Sequence, residues 1–193
     1  MNPVRGKKSS ISALRGTSNG MNPKIEQNFL KSYDEFGDAI FRYCLIQTSD
    51  RELARDLTQD TFTRVWEYFQ KGKEVENIRA FLYRVAINLI IDYRRKKKPN
   101  SSLETMMEKG FDATDSRDQK KILETNFDSE KVVGALNKLD DKYRETLTLR
   151  YIEDLSLKEI SNITKESENN ISVRIHRGLE KFRQIIQKEI PNL

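Results

Sequence analysis

Apolar residues recur along this chain at intervals of three and four, and the intervals mark out a succession of amphipathic helices. From Ile25 to Ile46 the positions Phe29, Tyr33, Phe36, Ile40, Tyr43 and Cys44 keep that spacing and lie along one helical face. Asp50 then offers an N-cap to a second helix, RELARDLTQDTFTRVWEYFQK, with Leu53, Leu57, Phe62, Val65, Trp66 and Phe69 as its apolar stripe. A turn at Gly72 leads to a third helix from about Asn77 to Arg95. At about 100° per residue, Leu82, Val85, Ala86, Leu89 and Tyr93 cluster on a core side of it. Arg84, Ile87, Ile91, Arg94 and Arg95 fall on the opposite side, with Tyr83 near the edge.

The pattern then breaks. Residues 99–128 are polar and rich in Asn, Ser and Asp, which predicts a flexible linker holding at most a short helix. Periodicity returns at Glu130, where Val132, Leu136, Leu139, Tyr143, Leu147 and Tyr151 pace two helices with a break and cap at Leu139-Asp140-Asp141. Ser156 and Glu159 form a capping box for a short helix marked by Leu157, Ile160 and Ile163, and Ser167 caps the next. In that last helix Ile171, Ile175, Leu179 and Phe182 point inward, while Asn170, Val173, Arg177 and Lys181 point out, flanked by Arg174 on one side and by Asn169 and His176 on the other. A capped short helix, a tight turn and a longer helix make a helix-turn-helix. With only 4 prolines and 8 glycines, and no alternating β-branched runs, the fold class is all-α. It comprises two small helical domains, 24–98 and 129–193, joined by the linker 99–128, the C-terminal domain being the helix-turn-helix. Residues 1–23, basic and rich in Ser, Gly and Asn, are expected to be a disordered arm or a remnant of a misassigned start.

Composition narrows the chemistry. The net charge of +5 is modest, so its distribution matters more, and it concentrates in the run Arg94-Arg95-Lys96-Lys97-Lys98 at the end of the third helix. The outward face of the last helix carries amides that can pair with adenine edges, arginines for guanine or phosphate, and a valine able to touch a thymine methyl. Cys44 alone excludes an internal disulfide or a cysteine-rich zinc site and reads as a buried core residue. His176 alone cannot build a two-histidine metal site, and it reads as a phosphate contact or a boundary residue. No phosphate-binding glycine loop or HExxH is present, so no catalytic residue, metal or cofactor is expected and the chain does not read as an enzyme. Asp56 and Asp60, four residues apart, could share a cation, but a polar docking surface explains them better. No apolar run approaches the roughly 18 residues of a membrane span, and no hydrophobic stretch follows the basic start, so no membrane insertion and a cytoplasmic location are expected.

Four stretches in order and spacing, DLTQDTFTRVW (56–66), RAFLYRVAINLIIDYRRKKK (79–98), LDDKYRETLTLRYIEDLSLKEIS (139–161) and NNISVRIHRGLEKFR (169–183), resemble bacterial RNA polymerase sigma factors of the extracytoplasmic-function group. The likeness runs from about Phe29 to Ile186. It implies a factor that binds core RNA polymerase, recognises promoter DNA and melts it to initiate transcription. On that resemblance Asp56, Gln59, Asp60 and Arg64 would dock on the clamp of the polymerase largest subunit. The loop 71–77 would capture flipped bases of the minus-ten element, with Arg79, Tyr83, Arg84, Asn88, Arg94 and Arg95 on the helix that follows as strand contacts. Asn169, Asn170, Ser172, Val173, Arg174 and Arg177 would read the minus-thirty-five element as duplex. The linker would run through polymerase channels, and an anti-sigma factor is a further candidate partner.

Physics supports the same division. Holding melted strands requires positive charge and planar side chains, which the Arg/Tyr helix supplies. One departure stands out: Lys165 and Glu166 occupy the helix-turn-helix turn where the family has a glycine followed by an apolar residue. A non-glycine residue at positive φ costs about 1 kcal/mol, which predicts a reshaped or longer turn. The competing reading is a helix-turn-helix regulator that binds an operator without joining the polymerase, and a third is a helical adaptor for protein alone. A regulator has no need of DLTQDTF followed by an Arg/Tyr helix ending in RRKKK.

Overall fold

The computed structural model describes residues 23–97 and 129–189; the expected arm and linker lie outside the described residues, apart from Pro23. Seven α-helices and no strand occur among the described residues. They are α1 (Pro23–Thr48), α2 (Arg51–Gln70), α3 (Ile78–Lys97), α4 (Ser129–Asn137), α5 (Asp141–Leu147), which runs on into a π-helical turn over Thr148–Ile152, α6 (Leu157–Thr164) and α7 (Glu168–Glu189).

The N-terminal half is a three-helix cluster. Asp50 caps α2 as its position predicts, its Oδ1 accepting the N–H groups of Glu52 and Leu53, both at 3.1 Å. Asn77 does the same for α3 through Oδ1 and the N–H of Ala80 (2.9 Å). Phe29, Ile40, Tyr43, Cys44, Leu57, Phe62, Val65, Leu82, Ala86 and Leu89 are buried together, with Tyr33, Phe36, Trp66 and Phe69 at the margin. The ring of Tyr33 meets Phe62 edge-on at 4.7 Å, and Phe29 meets Trp66 at 4.8 Å. Cys44 is fully buried, and burial pushes its thiol up to about 12.

Two expectations for α3 need correction. Ile87, placed outward by its helical angle, is buried, and Tyr83 is not at an edge but wholly enclosed. The reason is that α3 has two packing faces. One meets α1 and α2, and the other meets α6 of the C-terminal half. The row Arg79, Tyr83, Ile87 at four-residue spacing faces that second neighbour, so its apolar members are shielded as fully as those of the first stripe. Ile91 stays exposed, as expected.

The C-terminal half follows its sequence signals closely. Asp140 does occupy the position before α5, but its side chain makes no capping bond. Its Oδ2 instead accepts Lys181 Nζ of α7 at 2.8 Å, a bond that holds the Asp140 carboxyl below its ordinary value. Ser156 and Glu159 complete the capping box: the serine Oγ accepts the Glu159 N–H (3.2 Å) and the Glu159 carboxylate accepts the Ser156 N–H (2.8 Å). Lys165 adopts φ 64°, ψ 24° and closes α6 without an added residue, its N–H reaching Ser161 O at 2.9 Å. The turn therefore keeps its left-handed geometry despite lacking glycine, corrected from the reshaped or longer turn expected. Ser161 Oγ donates to Glu166 O (2.6 Å), and Ser167 Oγ accepts the N–H of Asn170 (3.2 Å), fixing the angle at which α7 starts. At Gly178, α7 passes so near α5 that a Cβ would lie 3.3 Å from Leu147 Cγ.

Arg144 locks the halves together from beneath. Its guanidinium donates to the carbonyls of Leu136 (3.1 Å), Asn137 (3.1 Å) and Leu139 (2.9 Å), the orphaned end of α4, and to Gln47 O (3.2 Å) at the end of α1. Arg94 Nη2 also reaches Gln47 O (2.8 Å), and its Nη1 lies 3.3 Å from Asp141. Half-buried Glu145 sits nearby. Burial pushes its carboxyl up to about 7 against the pull of Arg174 and Arg94, with Glu166 and Asp141 pushing the same way as burial.

Ser156→Ala should lower stability by about 1 kcal/mol in thermal or urea unfolding, because the Glu159 N–H loses its acceptor. For Glu145 the folded carboxyl is raised from 4.5 to about 7, so ionisation favours the unfolded chain. Its contribution is undiminished below 4.5, declines as pH rises to about 7 and is level beyond. Glu145→Gln should therefore gain melting temperature over the wild type steadily between those pH values and hold a constant advantage above them; a difference independent of pH would contradict this.

Candidate nucleic-acid interface

Three polar surfaces and one groove carry the candidate residues. On α2, Asp56, Gln59, Asp60 and Arg64 are all exposed and fall on one stripe opposite buried Ala54, Leu57, Thr61 and Val65. None of the charged members of that stripe carries an ion pair with a described residue. A helix face of this kind presents carboxylates and an amide without internal competition, which suits docking on a cationic protein surface.

The second surface is α3. Asn88 and Arg95 are exposed, and Arg95 pairs with Asp92 on its own helix (3.1 Å). The other four candidates face the C-terminal half. Arg84 Nη2 donates to Asn162 O of α6 at 3.0 Å, Arg94 bridges to Gln47 O and Asp141, and Arg79 Nη2 donates to Glu153 O. Tyr83, fully buried, stacks edge-on against Tyr43 (5.5 Å) and donates its hydroxyl to Glu153 Oε2 at 2.7 Å. Burial and the neighbouring Glu153 both raise its phenol above the ordinary value.

The third surface is the outward face of α7. Asn169 and Asn170 are exposed, while Ser172, Val173, Arg174 and Arg177 are half-buried. Arg174 is held by Glu166 in a two-pronged ion pair, Nη1 to Oε1 at 2.8 Å and Nη2 to Oε2. Glu166, noted in the sequence only as a departure in the turn, thus fixes one of the residues placed to read bases. His176 is exposed at the flank, 3.9 Å from Glu180. A groove beside loop 71–77, between α1 and the start of α3, is lined by Asn28, Ser32, Phe69, Lys73, Val75 and Ile78.

Sequence reading missed Arg42, Glu153, Glu166 and Arg144 as interacting residues. Glu166 and Arg174, eight apart, lie within reach of a turn-to-helix pairing, and that spacing was the available signal. Arg42 and Glu153 are 111 positions apart, so no local pattern links them. Among the described residues no group of three or more His, Cys, Asp or Glu could hold a metal ion, and no helix is long and apolar enough to cross a membrane.

Comparison with known proteins matches both halves of the chain. A model of sigma-70 region 2 matches residues 33–99, and one of sigma-70 region 4 matches residues 129–182. The chain is 32% identical over 166 residues to the ECF RNA polymerase sigma factor SigW of Bacillus subtilis, covering 81% of this chain and 87% of that protein. It is 29% identical over 161 residues to SigM of the same organism, covering 82% of this chain and 94% of SigM. Among solved structures, the sigma factor RpoE in complex with the anti-sigma factor NepR from Bartonella quintana shares the fold with a TM-score of 0.65 at 20% identity, covering 83% of this chain and 98% of that one. CnrH in complex with the cytosolic domain of CnrY gives 0.61 at 21% identity, covering 92% and 96%. A region 2 cluster followed by a region 4 helix-turn-helix, with relatives matched over most of their length, places this protein in the extracytoplasmic-function sigma factor family of RNA polymerase.

Proposed function

We propose that the chain divides promoter recognition among three faces of its helices: α2 docks on core RNA polymerase, α3 and loop 71–77 hold the melted minus-ten strand, and α7 reads the minus-thirty-five duplex. As a sigma factor the protein is a polymerase-binding, promoter-specific initiation factor and not an independent regulator. The observation that carries the residue assignment is the α2 stripe, where Asp56, Gln59, Asp60 and Arg64 are exposed together and no fold contact uses them. An operator-binding regulator has no use for such a face.

The groove beside loop 71–77 supports the base-capture part of the reading. Its apolar wall of Phe69, Val75 and Ile78 can take a base face, and its polar rim mixes Asn28, Ser32, Lys31 and Lys73 with the carboxylates of Glu35 and Glu74. Arg95, Lys96 and Lys97 form an exposed basic cluster at the far end of α3, with exposed Asn88 on the same helix. On α7 the exposed Asn169 and Asn170 are the most accessible readers of adenine edges, and Arg174, constrained by Glu166, presents a fixed cation beside them. An anti-sigma protein is a further partner of this reading, since the RpoE and CnrH folds were solved with NepR and CnrY bound.

Transcription reconstituted with core polymerase over a promoter library tests the whole reading. Co-elution with core and discrete start sites are expected; neither would leave the regulator reading in its place. Asp60→Ala should weaken core binding by roughly 1 to 2 kcal/mol and leave minus-thirty-five duplex binding unchanged; equal losses in both assays would mean a folding defect. Arg177→Ala should weaken duplex binding by about 1 to 3 kcal/mol, read by fluorescence anisotropy, and unchanged affinity would remove Arg177 from the interface.

A further inference from the structure

Glu153 is the most thoroughly enclosed carboxylate among the described residues, with a relative exposure of 3%. The turn that carries it is built with some strain. The preceding residues form the π-helical turn Thr148–Ile152, a feature that occurs frequently at functional sites, and Asp154 after it adopts φ 50°. Every donor on the Glu153 side chain comes from the N-terminal half. Arg42 Nε donates to Oε1 at 2.9 Å and Arg42 Nη2 to Oε2 at 2.8 Å, and the Tyr83 hydroxyl reaches Oε2 at 2.7 Å. Arg79 adds its Nη2 to the backbone oxygen of the same residue.

Without Glu153, these groups form a concave donor set on region 2: a forked guanidinium, a phenolic hydroxyl and a second guanidinium, at the N-terminal end of the helix assigned to the minus-ten strand. A fork of this geometry fits a carboxylate or a phosphate equally well. As a stability device, this ion pair between two domains gains little, because desolvating the buried Glu153 carboxylate offsets its attraction to the half-exposed Arg42. As a switch it is effective, because a second anion can take the place of the first.

We propose that Arg42, Arg79 and Tyr83 form a backbone-phosphate site for the promoter strand, and that Glu153 occupies it in the free protein as a carboxylate mimic, so that region 4 masks the strand-binding face of region 2. The proposal rests on the assignment of α3 to the minus-ten strand and adds Arg42, on α1, to it. The other contacts point the same way. Arg84 and Arg94, both assigned to the strand, also meet region 4 in the closed form, Arg84 donating to Asn162 O and Arg94 pairing with Asp141. DNA and region 4 thus compete for the same cations. Free protein binds single-stranded DNA only from the fraction of molecules that are open.

The test uses the full chain with donor and acceptor dyes at Gln70→Cys and Gln187→Cys, both exposed positions; buried Cys44 does not compete for the label. The DNA probe is a random-sequence single-stranded oligonucleotide, because a phosphate contact needs no promoter sequence. Glu153→Gln should lower transfer between the dyes and tighten oligonucleotide binding on the order of tenfold. Adding Arg42→Gln should remove that gain and reduce the slope of log affinity against log salt by about 0.7, the loss of one phosphate contact on a single strand. Arg42→Gln alone should open the chain without the gain, which keeps the test valid if Glu153→Gln folds poorly by circular dichroism. The proposal is overturned if Glu153→Gln and Arg42→Gln both leave the dye distance unchanged, or if the opened chain binds no tighter, or if its gain survives loss of Arg42. Run-off transcription with core polymerase separates the two levels: specific starts alongside any of these outcomes sink the masking proposal alone, and no starts sink the sigma-factor assignment beneath it.

Discussion

A carboxylate withdrawn from water is costly unless donors meet it, and at Glu153 all of its side-chain donors come from the other half of the chain. That constraint organises the domain arrangement. Arg42 at the end of α1 and Tyr83 in α3 must converge on one point, which sets α3 against α6 and brings the end of α1 under α5. Arg94 and Arg144 then find the carbonyl of Gln47 within reach, and the Gln47 side chain donates to Thr148 at 3.3 Å. The raised Arg42 guanidinium reflects the same clasp, its bond to Glu153 outweighing the cost of burial.

The hydrogen bonds and ion pairs across the interface mostly end on backbone carbonyls or on a single carboxylate, beside the buried side chains of Tyr83 and Ile87. Such an interface has a different character from the aromatic cluster of Phe29, Tyr33, Phe62 and Trp66 inside region 2. The aromatic cluster is a permanent core whose opening exposes apolar surface to water. The interdomain surface exposes Arg42, Arg79 and Arg84 when it opens, groups that water and phosphate both solvate well, along with the smaller apolar row of Tyr83 and Ile87. The chemistry of the contact therefore matches a surface meant to part.

Much of this fold was legible in the sequence. Three- and four-residue spacing located every described helix, and Asp50, Ser156 with Glu159, and Ser167 cap where their side chains and positions say they should. Asp56, Gln59, Asp60 and Arg64, assigned to docking by resemblance, are all exposed on one face of α2. What periodicity could not show was the second packing face of α3. A helix gripped on two sides buries two stripes, and Tyr83 and Ile87 belong to the one that a single amphipathic pattern assigns to solvent. Asp140 failed as a cap because Lys181, 41 positions away, competes for its carboxylate more strongly than a backbone amide does. Glu153 was invisible for the same reason on a larger scale: its sequence neighbours contain no partner, and its chemistry lies in α1 and α3.

The closed arrangement of regions 2 and 4 in the free protein is the central claim, and single-molecule energy transfer between the two regions during titration with core polymerase tests it most directly. The account requires one high-transfer population for the free chain, replaced by a low-transfer population as the polymerase binds. A free chain already spread over extended states, or one that stays in the high-transfer state while bound to polymerase and initiating transcription, would contradict it.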